Sequence, residues 1–152
     1  MPKHAHSHSL RHGRLSEISQ IYLLTTVTQN RHPLFKVWRL GRLVVSELKR
    51  AEEQSLVQSL AWVVMPDHLH WLIELKQNSL SRVMQQIKAR SAIAINKATQ
   101  SQNRVWQRGY HDTTLRTEND LKKLARYIVA NPLRAGLVKR IGDYPLWDAI
   151  WL

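Results

Sequence analysis

Residues 61–75 read AWVVMPDHLHWLIEL, the densest pattern in the chain. Leu56 to Met65 is rich in apolar and β-branched residues, as a strand requires. Pro66 has no N–H for a ladder hydrogen bond, so it belongs in a connection. Asp67 to Leu75 resumes an extended pattern. The economical reading is a β-hairpin. Side chains alternate along a strand. Leu69, Trp71, Ile73 and Leu75 therefore share the core face, and His68 and His70 share the other.

Outward from this hairpin, Ile21 to Thr28 (IYLLTTVT) is a strand, followed by a turn at residues 30–33. Leu34 to Gln54 is expected to be helical, with Val37, Leu40, Val44 and Leu48 as its apolar stripe. A second helix runs from Leu80 to Lys97, with Leu80, Val83, Met84, Ile87 and Ala94 facing inward. Asn103 to Gly109 is an irregular basic connection, and His111 to Leu115 a short strand. Thr117 starts a third helix, with Asp120 at capping-box spacing. Leu121, Leu124, Ala125 and Ile128 form its apolar face. Pro132 limits that helix and Gly136 marks a turn. The closing IGDYPLWDAIWL is expected to add aromatic contacts. The order β-α-β-β-α-β-α predicts an α+β fold. Specifically, it is a ferredoxin-like split βαβ sheet, mostly antiparallel, with an added C-terminal helix. The first two helices should cover the apolar face and the third part of the opposite face.

The chain has 152 residues, 43 % of them hydrophobic, which suits one domain with a real core. Residues 1–18 read as a flexible basic tail, and 19–152 as the domain. The tail's His4, His6, His8 and His12 are solvated residues in this reading. The chain has no cysteine, which excludes disulfides, zinc fingers and cysteine nucleophiles. No stretch approaches a membrane span, and the N-terminus lacks an apolar export signal. Lys and Arg total 23 against 11 Asp and Glu, for a net charge of +12. Such an excess fits a polyanionic partner, nucleic acid above all.

His68 and His70 set side by side preform half of a divalent-metal site, since neutral imidazole binds such ions well. The plain alternative is two histidines satisfied by backbone or carboxylate. Tyr127 and Asn131, in RYIVANPLRAGLV, are four apart, so they stack one turn above another if the helix extends that far. Tyr127 falls at the border of the apolar face. A phenol there could attack a phosphodiester while a bound Mg²⁺ or Mn²⁺ polarises the phosphate. The alternative is a packing tyrosine followed by an Asn-Pro helix stop.

Three pieces, VVMPDHLHWLIEL, VWQRGYHDTTLR and RYIVANPLRAGLV, occur in this order. Together they resemble the single-tyrosine HUH transposases, most of all the REP-associated tyrosine branch. The resemblance implies that His68, His70 and Asn131 bind the divalent metal, where mobile relatives commonly have Gln as the third ligand. It implies that Tyr127 is the nucleophile, cutting single-stranded DNA and keeping the 5′ phosphate. The implied partner is single-stranded DNA or a hairpin from repeated palindromes, with a homodimer allowed. The implied place is the bacterial cytoplasm, at the nucleoid.

The rival function is a non-catalytic nucleic-acid hairpin-binding protein on the same fold. A third, an RNA-cleaving or ribosome-associated basic protein, finds no RNA-recognition motif here. Arg82, Lys88, Arg90, Lys97, Arg104 and Arg108 would serve either of the first two as phosphate contacts. Trp106 and Tyr110 are candidates for base stacking, with local packing as the alternative. His111 is a candidate to face DNA or the site.

Overall fold

The computed structural model describes residues 18–150. The expected 1–18 tail, with its four histidines, thus lies almost wholly outside the described residues, as do Trp151 and Leu152. Five strands form one antiparallel sheet. They are β1 (Ile21–Val27), β2 (Val57–Met65), β3 (His68–Leu75), β4 (His111–Leu115) and β5 (Trp147–Ala149), in the spatial order β4-β1-β3-β2-β5. Helix α1 (Trp38–Glu53) links β1 to β2, α2 (Leu80–Thr99) links β3 to β4, and α3 (Glu118–Val129) follows β4. A short helix, α4 (Asn131–Arg134), comes next.

β3 is central, with β1 and β2 on its flanks. Leu69, Trp71, Ile73 and Leu75 are each 0 % exposed. Their partners across β1 and β2 include Leu24, Thr26 and Trp62, also buried. Helices α1 and α2 pack against each other, and α1 packs on β2. Helix α3 also packs on β2, through the face that holds Ala125, Ile128 and Val129. β2 is buried continuously from Leu60 to Met65, so both of its faces are covered.

Three details depart from the sequence expectations. The first helix begins at Trp38 rather than Leu34, and Val37 is exposed instead of in the stripe. Leu34–Lys36 is a 3₁₀ turn, because the Phe35 N–H bonds Pro66 O at 2.9 Å and its ring is buried. This pins the segment to the β2–β3 turn. Next, α3 ends at Val129 and the chain re-enters a one-turn helix at Asn131, where Pro132 fits an N-terminal position without losing an intrahelical bond. Finally, β5 pairs Trp147–Ala149 with Ala61–Val63. Three residues carry too little alternation to be read as a strand. Among the described residues, no helix is long and apolar enough to cross a membrane.

The Thr117 cap is present: its Oγ1 accepts from the Asp120 N–H at 3.2 Å. Thr117→Ala should cost about 1 kcal/mol of stability. Urea unfolding followed by circular dichroism measures it; an unchanged midpoint would mean α3 is held by packing alone.

Candidate active site

The two histidines project from β3 on the face opposite the core, beside Val27 and Thr25 of β1 and Met65 and Val63 of β2. Their rings meet edge to face, with centroids 4.8 Å apart and planes at 76°. Each ring is held through Nδ1. His68 Nδ1 donates to Asp67 Oδ1 at 2.7 Å, since a carboxylate only accepts. Asp67 in turn takes the Arg31 Nε–H at 3.1 Å. Partial burial works to raise the Asp67 carboxyl, but the hydrogen bond and charge of His68, with the Arg31 guanidinium, hold it below its ordinary value. His70 Nδ1 lies 2.8 Å from Thr25 Oγ1. Fixing Nδ1 leaves Nε2 as the ligating atom, the usual arrangement behind metal-bound imidazole.

His70 is largely buried. Burial, then the His68 ring and the Arg134 guanidinium, depress it from 6.5 to about 4. It is therefore neutral at physiological pH, the form that ligates a metal.

Tyr127 stands at the other side of the site. Of the chain's four tyrosines, it alone is exposed, at 57 %. Tyr22, Tyr110 and Tyr144 are buried, and Tyr144 donates to Val64 O at 2.6 Å. Burial pushes the Tyr144 phenol up to about 12. Packing does not hold the Tyr127 ring as expected of a border residue. Instead the Arg134 guanidinium lies over it, 3.5 Å from the ring centroid. Arg134 Nη2 also donates to Tyr127 O at 2.7 Å and to Asn131 Oδ1 at 2.5 Å. Sequence reasoning missed Arg134. It stands seven residues beyond Tyr127, close to two helical turns, and that spacing was the available signal.

Asn131 has one amide end on Arg134 and the other, Nδ2, buried without a partner. A half-turn of the amide exchanges its oxygen and nitrogen. A buried polar end without a partner is an unsatisfied position, and a turned amide would put its oxygen there, where a cation could take it. Among the described residues no three His, Cys, Asp or Glu side chains gather for a metal. The donors that could hold a divalent ion are the two imidazoles and the Asn131 amide oxygen. The structure joins Tyr127, Asn131 and Arg134 by contact.

The expected nucleic-acid residues divide. Arg82, Lys97, Arg104 and Arg108 are exposed. Arg90 pairs with Glu47 at 2.9 Å and so braces α2 on α1. Lys88 donates to the carbonyls of Gln107 and Gly109, anchoring the connection before β4. Lys88 and Arg90 are two residues apart on α2, hence about 200° around it. They cannot share a single basic strip. Trp106 and Tyr110 are corrections: both are core residues, not stacking platforms. Trp106 packs on Phe35 with centroids 5.6 Å apart, and its Nε1–H bonds Ser91 Oγ at 3.0 Å. Tyr110 Oη is 3.2 Å from Ser81 Oγ. His111 is exposed and pairs with Thr25, which puts it in the same cross-strand row as His70, two strands away. Glu74 pairs with Lys76 at the surface.

Two outcomes follow from this geometry. Calorimetric titration with Mn²⁺ should lose one binding event in His68→Ala or His70→Ala, and Asp67→Asn should weaken that event about 10- to 100-fold. Equal binding by all four proteins would remove the metal assignment. For His70, the folded pKa lies below the unfolded one, so the unfolded chain holds more protons between them. Its contribution to stability is whole above about 6.5 and is lost as pH falls towards about 4. Urea unfolding at both ends of that window should show the loss, and His70→Gln should reduce it. An equal pH loss in the variant would assign the effect elsewhere.

Comparison with known proteins identifies relatives of this chain. A sequence profile described as "Transposase IS200 like" matches residues 17–131. A REP-associated tyrosine transposase of Escherichia coli K12 is 29 % identical over 87 residues, covering 56 % of this chain and 50 % of that protein. The chain thus spans about half the length of that relative. A Haemophilus influenzae protein provisionally given the same designation is 24 % identical over 136 residues, covering 82 % of this chain and 77 % of its own. A solved REP-associated tyrosine transposase bound to a REP hairpin superposes with a TM-score of 0.73 at 20 % identity, covering 97 % of this chain and 82 % of that one. With the profile spanning most of the domain, the chain belongs to the IS200-like family of single-tyrosine HUH transposases, together with the REP-associated tyrosine transposases.

Proposed function

We propose that this chain cleaves single-stranded or hairpin DNA, and can rejoin it, through a covalent 5′-phosphotyrosine intermediate on Tyr127. The observation that carries this reading is the exposure of Tyr127 beside a fixed cation, while the chain's three other tyrosines are buried. In this reading Tyr127 sits on the helix added after a ferredoxin-like βαββαβ unit, and the sheet presents the histidines.

In the reaction, Tyr127 Oη attacks phosphorus and loses its proton to solvent. The new Oη–P bond replaces the P–O3′ bond, and the departing 3′ oxygen takes a proton. One phosphodiester is exchanged for another, so a 3′ hydroxyl can reverse the step and rejoin a strand. His68, His70 and Asn131 would hold a Mg²⁺ or Mn²⁺ ion, which supplies Lewis-acid polarisation of a phosphate oxygen when bound. Asp67 and Thr25 orient the two rings, and the neutrality of His70 keeps its lone pair available. Holding the phenol near the phosphorus before reaction removes much of the entropic barrier. Arg82, Lys97, Arg104 and Arg108 are exposed to meet the DNA backbone. The solved relative carrying a REP hairpin supports a palindromic hairpin as substrate class.

The test uses labelled DNA hairpins from palindromic repeats neighbouring the gene, each with a single-stranded extension, in the presence of Mn²⁺. A denaturing gel should show a protein–DNA adduct with the native chain and with Tyr110→Phe, and none with Tyr127→Phe. The Tyr127 variant should still bind the hairpins. An undiminished adduct in Tyr127→Phe would reassign the nucleophile. Binding without any adduct in the native chain would favour a hairpin-binding protein.

A further inference from the structure

We propose that Arg134 is a phosphate-binding residue of the reaction, whose guanidinium grips the scissile phosphodiester beside Tyr127. The proposal rests on the reading of Tyr127 as nucleophile and adds to it a residue outside the histidine, asparagine and tyrosine set.

The argument begins with what holds Arg134. Arg31, Arg90 and Arg140 each pair with a carboxylate. Arg134 pairs with none among the described residues; its partners are a backbone carbonyl, an amide oxygen and an aromatic ring. Those acceptors are neutral, so they orient the cation without cancelling its charge. Both of these hydrogen bonds use Nη2. A guanidinium has five N–H donors in a planar fork. The Nη1 and Nε donors are left for another acceptor, and Arg134 is exposed on the surface. Fixing a long side chain this way forfeits rotamer freedom. That cost is hard to explain at an exposed position unless the held charge is used.

The location is specific. The cation covers the ring of the exposed tyrosine. A phosphate within reach of Tyr127 Oη therefore lies near the remaining donors. Arginine is well suited to such an oxyanion because its fork can donate two bonds at once. Along the reaction, the Oη–P bond forms and the P–O3′ bond breaks. Arg134 keeps its proton throughout, and its donors meet the charge on the non-bridging oxygens as they approach the transition state. Arg134 Nη2 holds the same Asn131 oxygen that a metal would take, so an ion held by that oxygen would compete with this contact and leave Nη2 for phosphate as well.

The experiment compares the full-length native chain with Arg134→Lys, Arg134→Gln and Tyr127→Phe on the hairpin probes with Mn²⁺. It reads the single-turnover cleavage rate at saturating DNA, the hairpin Kd and the thermal midpoint. Arg134→Gln should cleave on the order of 100-fold more slowly, with Kd changed less than about threefold. Arg134→Lys should recover part of the rate, since it retains the charge. A role confined to bridging Tyr127 O and Asn131 Oδ1 would not give this order, because a glutamine amide can donate such hydrogen bonds without the charge. Glutamine equal to or better than lysine would therefore overturn the proposal. So would rates within about threefold of native in both variants while Tyr127→Phe is inactive. An adduct that persists in Tyr127→Phe would instead remove the nucleophile assignment, and Arg134's role beside it.

Discussion

Leu69, Trp71, Ile73 and Leu75 of β3 have no exposed surface and share one face of the strand, while Leu72, equally buried, lies on the histidine face. Alternation then leaves His68 and His70 no freedom of direction. A register slip of one residue would send both imidazoles into the core and the tryptophan to the site. The antiparallel partners reinforce this choice. β1 brings Thr25 opposite His70, and β2 brings the buried Val63 to its other side. The ring orientations, the neutral state of His70 and the placement of the second half of the site on α3 and α4 all depend on that one burial decision.

On the proposed reading of Tyr127, its surroundings would resolve a tension that any tyrosine nucleophile faces. The phenol must be open to a large polyanion, yet an open side chain is normally mobile. A buried ring would be rigid but inaccessible, as Tyr144 illustrates with its bond to a β2 carbonyl. Tyr127 is exposed on one side and capped on the other by Arg134, which is itself tied to the helix backbone and to Asn131. Rigidity is supplied by polar contacts at the surface instead of by the core.

The paired histidines and their face were legible in the sequence because period-two alternation is unambiguous in a strand with four large apolar residues on one side. Tyr127 and Asn131 were singled out by a four-residue interval on one helix, whereas α3 ends at Val129 and Asn131 opens α4. Arg134 was not, since an arginine in a basic chain looks like any other solvated charge until its acceptors are seen. Trp106 and Tyr110 were open to two readings for a related reason: an aromatic residue in a basic loop fits a base or a core equally well. Only the bond from Trp106 to Ser91, and the contact with Phe35, place it inside. The phosphate-contact role of Lys88 and Arg90 was an inference from charge alone. Helical geometry separates Lys88 from Arg90, and Glu47 and the loop carbonyls engage them.

The connection after β1 is sewn to the turn between β2 and β3. The Thr28 N–H bonds Asp67 O at 2.9 Å, and the Phe35 N–H bonds Pro66 O at the same distance. Asn30 and Arg31 adopt left-handed backbone between these two stitches, with φ of 57° and 51°. The turn that carries Asp67 thus cannot open by itself; it must release a strained crossover and the buried Phe35 as well. Amide hydrogens at Thr28 and Phe35 should accordingly exchange with solvent in step, through one shared opening, and the histidine pair inherits the persistence of that seam although it lies at the end of a strand.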